Sequence, residues 1–201
     1  SMGAPRREPG RRANEAEKRI QLQRPFYFAI TETSNKEYRQ WKSEHNSSSI
    51  RGLSLDLNDQ PVANIAWQDA ALFCNWLSEK ENLPKFYNVV GDRVTSINWD
   101  SNGYRLPTES EWSWVAKVTK AGSTKVFPWN SPSYPPPFVS GNYADESAKS
   151  MLPFTISNYN DSFPVSASVG SFQPNEKGIF NLSGNVAEWV NDFYEIRVNK
   201  S

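Results

Sequence analysis

Thiol and imidazole chemistry is nearly closed to this chain, which has one cysteine, Cys74, and one histidine, His45. A disulfide, a paired-cysteine redox centre, a Cys/His zinc site and a serine–histidine triad each need more than that. Cys74 has no His, Lys or Arg within a helical turn to lower its pKa, so it reads as a small buried apolar residue. No Gly-x-Ser-x-Gly elbow and no nucleotide-binding glycine loop occurs. Glu109 and Glu111 are accounted for as helix-start residues and are not read as an acid/base pair.

Oxygen donors are the more plentiful chemistry, and in the second half they gather near glycine turns. One cluster is Gly141-Asn142-Tyr143-Ala144-Asp145 and another is Asn160-Asp161-Ser162-Phe163. The third runs from Gly178 through Asn181, Gly184, Asn185 and Val186 to Glu188-Trp189. Calcium takes several hard oxygens from carboxylates, Asn amides and backbone carbonyls in a loop that can bend around it. The same residues also build ordinary turns, and composition alone favours that plainer reading. The spacing is not that of an EF-hand.

These clusters must be held by a scaffold with little regular structure. The aromatic run Pro25-Phe26-Tyr27-Phe28-Ala29-Ile30 predicts a strand. Ser34, with Glu37 three residues later, is a capping box that predicts a short helix near Asn35, with Tyr38 and Trp41 on its inner face. The polar stretch around Ser47–Asp59 reads as loop. The best amphipathic helix runs from about Trp67 to Glu79, with Trp67, Ala70, Ala71, Cys74 and Leu77 on one face. Leu83 to Asn102 reads as an irregular excursion with a hairpin around Gly91-Asp92. Thr108 and Glu111 form a second capping box, predicting a helix whose Trp112, Val115 and Ala116 point inward. After Lys120 no helical period persists, and Pro135-Pro136-Pro137 reads as a stiff loop. No internal repeat is found.

Composition sets the remaining bounds. The 201 residues suffice for one domain with a substantial core. Hydrophobic residues make up only 37%, so the 8 Trp and other aromatics must supply much of the buried area. Lys+Arg and Asp+Glu both number 22, which argues against a nucleic-acid or anionic-membrane surface. The basic start, Arg6, Arg7, Arg11 and Arg12, is read as a solvated segment. No apolar run is long enough to span a bilayer, and no signal peptide is visible. Sequons stand at Asn46, Asn160 and Asn181.

Taken in order, several blocks resemble one known family. They are Met2-Gly3, the segment Phe26 to Tyr38 around Glu32-Thr33-Ser34-Asn35, and PVANIAWQDAALFCNWL from Pro61 to Leu77. Gly103 to Trp112 (GYRLPTESEW), Phe127-Pro128-Trp129 and Gly184 to Trp189 (GNVAEW) follow. The series is similar to the formylglycine-generating enzymes, or sulfatase-modifying factors. The resemblance implies an α+β fold related to the C-type lectins, with a few short helices and strands. In these enzymes a cysteine of a target sulfatase is oxidised to formylglycine with oxygen. Two cysteines after an Arg-Gly-Gly-Ser type segment bind copper(I), a soft ion suited to thiolates. Residues 1–201 show neither that segment nor those cysteines, so the expectation is one domain cut at both ends and missing its C-terminal portion. Cys74 matches a helix cysteine of the family that is not catalytic.

The resemblance also implies two calcium sites. Asn142, the Tyr143 carbonyl, Asp161 and the Phe163 carbonyl would form one. Asn181, the carbonyls of Gly184 and Val186, and Glu188 would form the other, with the firmer alignment. Two functions follow as expectations: a protein-cysteine oxidase acting on a sulfatase-like protein or peptide, or a non-catalytic lectin-like binding module. An iron-dependent sulfoxide synthase needs a histidine-rich companion region and ranks last. Calcium leans toward an extracytoplasmic setting; the sequence fixes no oligomeric state.

Overall fold

A computed structural model describes residues 17–127, 129 and 131–193. The basic start, Met2-Gly3 and Pro128 lie outside the described residues. Helix α1 (Asn35–Tyr38) opens on the complete Ser34/Glu37 capping box, each side chain bonding the other's backbone N–H. Helix α2 (Trp67–Lys80) is the longest element. Helix α3 (Glu109–Lys117) opens on the complete Thr108/Glu111 box. All three helices stand where the sequence predicts them, because capping and amphipathic spacing are local signals.

Strands β1 (Ser49–Ile50) and β2 (Leu53–Ser54) form a small antiparallel hairpin inside the stretch expected to be loop. Its turn residues, Arg51 and Gly52, both have positive φ, the backbone that matches a tight hairpin's twist. Strands β3 (Tyr87–Val90) and β4 (Arg93–Ile97) pair across the predicted Gly91-Asp92 turn, with a register shift at Asn88/Val89. A single 3-10 turn, Glu146–Ala148, follows in the second half. Among the described residues no helix is long and apolar enough to cross a membrane.

The aromatic run at 25–30 corrects one expectation. Phe26 and Phe28 are half-buried while Tyr27 faces solvent, so the two-residue alternation is present. No ladder forms along it; one bond from Phe180 N–H to the Ile30 carbonyl (2.8 Å) ties it down. Extended side-chain periodicity needs only an apolar surface beneath it, whereas a strand also needs a neighbouring backbone in register.

Among the described residues, two apolar clusters form the core. Ala71, Cys74, Phe86 and Tyr87 pack with Trp67, Val94, Ile97 and Leu106. Val115, Ala116, Ile179 and Leu182 pack with Phe26, Phe28 and Trp112. With so little ladder, buried amides must satisfy the backbone instead. Asn75 donates to the Tyr87 carbonyl (2.8 Å) and accepts from its N–H (3.1 Å), standing in for a strand partner. Asn35, fully buried, donates to the Leu55 and Leu57 carbonyls (both 2.9 Å) and accepts from Ser47 Oγ (2.6 Å). His45 is absorbed the same way: its Nε2 pairs with Ser47 Oγ and the Ala63 carbonyl, and its ring lies 4.8 Å from that of Tyr38.

Candidate metal centre

The segment 181–191 is pinned to the helices by three indoles. Trp67 Nε1 at the start of α2 donates to the Val190 carbonyl (2.9 Å), and Trp189 Nε1 returns a bond to the Ile65 carbonyl (3.1 Å). Trp112 Nε1, in the second turn of α3, donates to Glu188 Oε2 (2.8 Å). Each indole has one N–H donor, so each fixes one contact with the segment. Asn191 adds another by accepting from Tyr87 Oη (2.9 Å).

Within that segment the chain curls through left-handed backbone at Asn181, Gly184 and Asn185. Asn tolerates this region better than most residues. Gly184 is required twice over. Its φ is +78°, and a Cβ there would stand 2.0 Å from the Asn142 carbonyl oxygen and 2.9 Å from the Tyr143 ring. Asn185 N–H donates to that same Asn142 carbonyl (2.8 Å). The two oxygen-rich regions read from the sequence therefore touch, back to back.

In the second region Asn181 is buried, and its Nδ2 donates to Glu32 Oε2 (3.0 Å). Its Oδ1 has no hydrogen-bond partner. A buried amide oxygen left bare is unfavourable by roughly 1–3 kcal/mol unless something else ligates it. Asn185 Nδ2 donates to the other Glu32 oxygen (2.9 Å). Burial raises the Glu32 carboxyl above its ordinary value, against the bonds from Asn185 and Asn181. Burial likewise pushes Glu188 up to about 7, opposed by the Trp112 bond and reinforced by the charge of Glu32. Glu188 is nevertheless exposed to solvent, and screening by water weakens that rise. Two carboxylates that repel each other and resist ionising are what a nearby cation would relieve. Asn181 also borders an open cavity of about 320 Å³ walled by Trp129, Phe138, Ile179 and Leu182.

The first region is also assembled, but its carboxylate oxygens are occupied. Asp161 is buried, with Oδ2 accepting from Tyr143 N–H and Oδ1 from Phe163 N–H, both at 2.8 Å. Asn142 Nδ2 donates to the Val165 carbonyl (2.6 Å). Behind them Asp145, fully buried, accepts from Asp161 N–H (2.5 Å) and from the N–H and Oγ of Ser147. Burial raises Asp161, and the neighbouring Asp145 adds to the rise despite the two N–H bonds. Burial would raise Asp145 too, but the bonds from Ser147 and the Asp161 N–H outweigh it and hold it low.

The structure thus brings Asn142, Tyr143, Asp161 and Phe163 together, and places Asn181 and Glu188 on one loop with Gly184 and Val186. Sequence reasoning missed Glu32: it lies in a quoted motif, but nothing local shows that it meets Asn181. Among the described residues no group of three or more His, Cys, Asp or Glu could hold a metal ion. An ion here would depend on amide and backbone oxygens as well, a donor set that suits calcium. Copper(I) does not fit: Cys74 is buried against Phe86 and Tyr87, and burial pushes its thiol up to about 12.

A loop-rich α+β domain, stitched by buried amides and organised around two touching oxygen-rich turns, is the class that fold and site define. The sulfatase-modifying factor enzyme 1-like domain model matches residues 1–200, and the chain belongs to that family. It is 30% identical over 183 residues to the chaperone protein LppX of Paenibacillus barcinonensis, covering 82% of this chain and 61% of that protein. It is 27% identical over 143 residues to the formylglycine-generating enzyme of Mus musculus, covering 71% of this chain and 30% of the enzyme. The chain thus matches less than two thirds of either relative's length. The structure of PvdO from Pseudomonas aeruginosa shares the fold, with a TM-score of 0.64 at 23% identity over 98% of this chain and 69% of that one.

Proposed function

We propose that this chain is the calcium-bound scaffold of a sulfatase-modifying factor that acts on a polypeptide, as formylglycine-generating enzymes act on sulfatases. The observation that carries the calcium part is the bare, buried Oδ1 of Asn181, on an amide whose Nδ2 bonds the Glu32 carboxylate. Asn181, Glu188 and the carbonyls of Gly184 and Val186 would hold one ion. Asn142, Asp161 and the carbonyls of Tyr143 and Phe163 would hold a second, weaker one. Bound calcium supplies positive charge that links separate loops; it performs no chemistry on a substrate.

Cysteine oxidation would draw its copper-binding thiolates from elsewhere in the protein, because Cys74 serves the core. Full-length protein incubated with copper(I), oxygen and a cysteine-bearing sulfatase peptide should yield the aldehyde, read by mass spectrometry. Recovery of only the unmodified cysteine would sink the oxidase reading. It would favour the second reading, a non-catalytic binding module, which the likeness to the chaperone LppX supports. The calcium sites also suit an extracytoplasmic setting.

A further inference from the structure

Glu32 sits on the irregular segment that precedes α1, far in sequence from the loop it serves. Its two oxygens are divided between two amides: Oε2 accepts from Asn181 Nδ2 at 3.0 Å and Oε1 from Asn185 Nδ2 at 2.9 Å. An asparagine amide has a donor edge and an acceptor edge of nearly identical shape, and its neighbours decide which faces which way. An ionised carboxylate only accepts, so Glu32 selects the NH2 edge of both residues. The oxygen edges are thereby sent elsewhere. Asn185 Oδ1 accepts from Ala167 N–H at 2.8 Å, completing that amide. Asn181 Oδ1 is left buried with no partner.

We propose that Glu32 is the positioning residue of the second calcium site, turning Asn181 so that its oxygen rather than its NH2 group meets the ion. The proposal rests on the calcium reading above and adds to it a residue that touches the ligand and not the ion. Outer residues that orient metal ligands are typically worth 10–100-fold in affinity. A Gln at 32 would keep the size but offer one acceptor and one donor. One of the two amides would then have to turn, or face a donor against a donor.

Calcium titration by calorimetry, with melting curves of the calcium-free and calcium-saturated full chain, tests this. Glu32→Gln should bind calcium at the second site at least about tenfold more weakly than wild type. Its calcium-induced rise in Tm should shrink to match. A purely structural Glu32 would instead lower the calcium-free Tm and leave both affinity and increment unchanged, which overturns the proposal. If Glu32→Gln fails to fold, Glu32→Asp keeps the charge on a shorter arm. Intermediate affinity would support the proposal, and wild-type affinity would overturn it. Wild type that binds no calcium would overturn the calcium reading and this proposal together. Wild type that binds while Glu32→Gln binds equally well would overturn the role of Glu32 alone.

Discussion

The two oxygen-rich regions are built from the same residue types, yet one binds up its carboxylate and the other leaves an amide oxygen bare. In the first, both carboxylate oxygens of Asp161 already accept backbone N–H groups, and Asp145 behind it accepts three more bonds. In the second, the Asn181 amide oxygen is buried bare, while burial raises Glu32 and Glu188 as it raises Asp161 in the first. An ion in the first region would compete with the two N–H bonds that Asp161 already accepts. The second leaves Asn181 Oδ1 without a partner, which the proposed calcium would supply. Composition is therefore a poor guide to a metal site. The question that separates the two regions is which donors and acceptors the fold leaves over.

The largest effect should come from breaking the contact between the regions. Gly184→Ala puts a methyl group into the Asn142 carbonyl and strains a positive φ. It should lower unfolding free energy by about 3 kcal/mol in urea melts and weaken calcium binding at both regions. A stable Gly184→Ala protein would show that the regions are not locked together.

Asp161→Asn sharpens the contrast. One oxygen would still accept an N–H, but the new NH2 group would oppose the other. The calcium-free protein should lose roughly 1–3 kcal/mol of stability, while most of the calcium-induced rise in Tm survives. Loss of that rise would place the dominant ion in the first region instead.

A smaller effect lies in pH. Burial pushes Glu188 up toward about 7 in the folded, calcium-free chain, from an ordinary value of 4.5. A raised carboxyl means the folded state holds its proton more tightly, so its contribution is complete below about 4.5 and is lost as pH rises through about 7. Calcium-free wild type should lose stability over that window relative to Glu188→Gln, read as diverging melting curves. With calcium present the trend should reverse, because only the ionised carboxylate binds the ion. Parallel curves without calcium would mean that Glu188 is not held in a charge-averse place.

What the sequence made legible follows the range of each signal. Both capping boxes, α2 and the Gly91-Asp92 turn depend on residues a few positions apart, and each stands where predicted. Glu111 was legible as a cap, but its bidentate pair with Arg105, at 2.6 and 2.7 Å, was not. The run at 25–30 carried its alternation in the sequence, whereas its lack of a ladder depends on which backbone lies alongside. Asn181 and Glu188 are proposed from the family resemblance, since the block from Phe180 to Trp189 matches without a gap. Glu32 stayed hidden because its partner is 149 residues away, and a carboxylate that orients an amide leaves no spacing signature.

The central claim is that the second region needs a cation, and calcium binding to wild type and Glu188→Ala tests it most directly. At a calcium concentration one hundred times Kd, binding to the folded state alone adds about 2.7 kcal/mol. In a chain of this size that is a rise in Tm of roughly 5–10 °C. Wild type should show that rise over chelator-treated protein, and Glu188→Ala should lose most of it while remaining folded. Identical melting curves with calcium and with excess chelator would contradict the account.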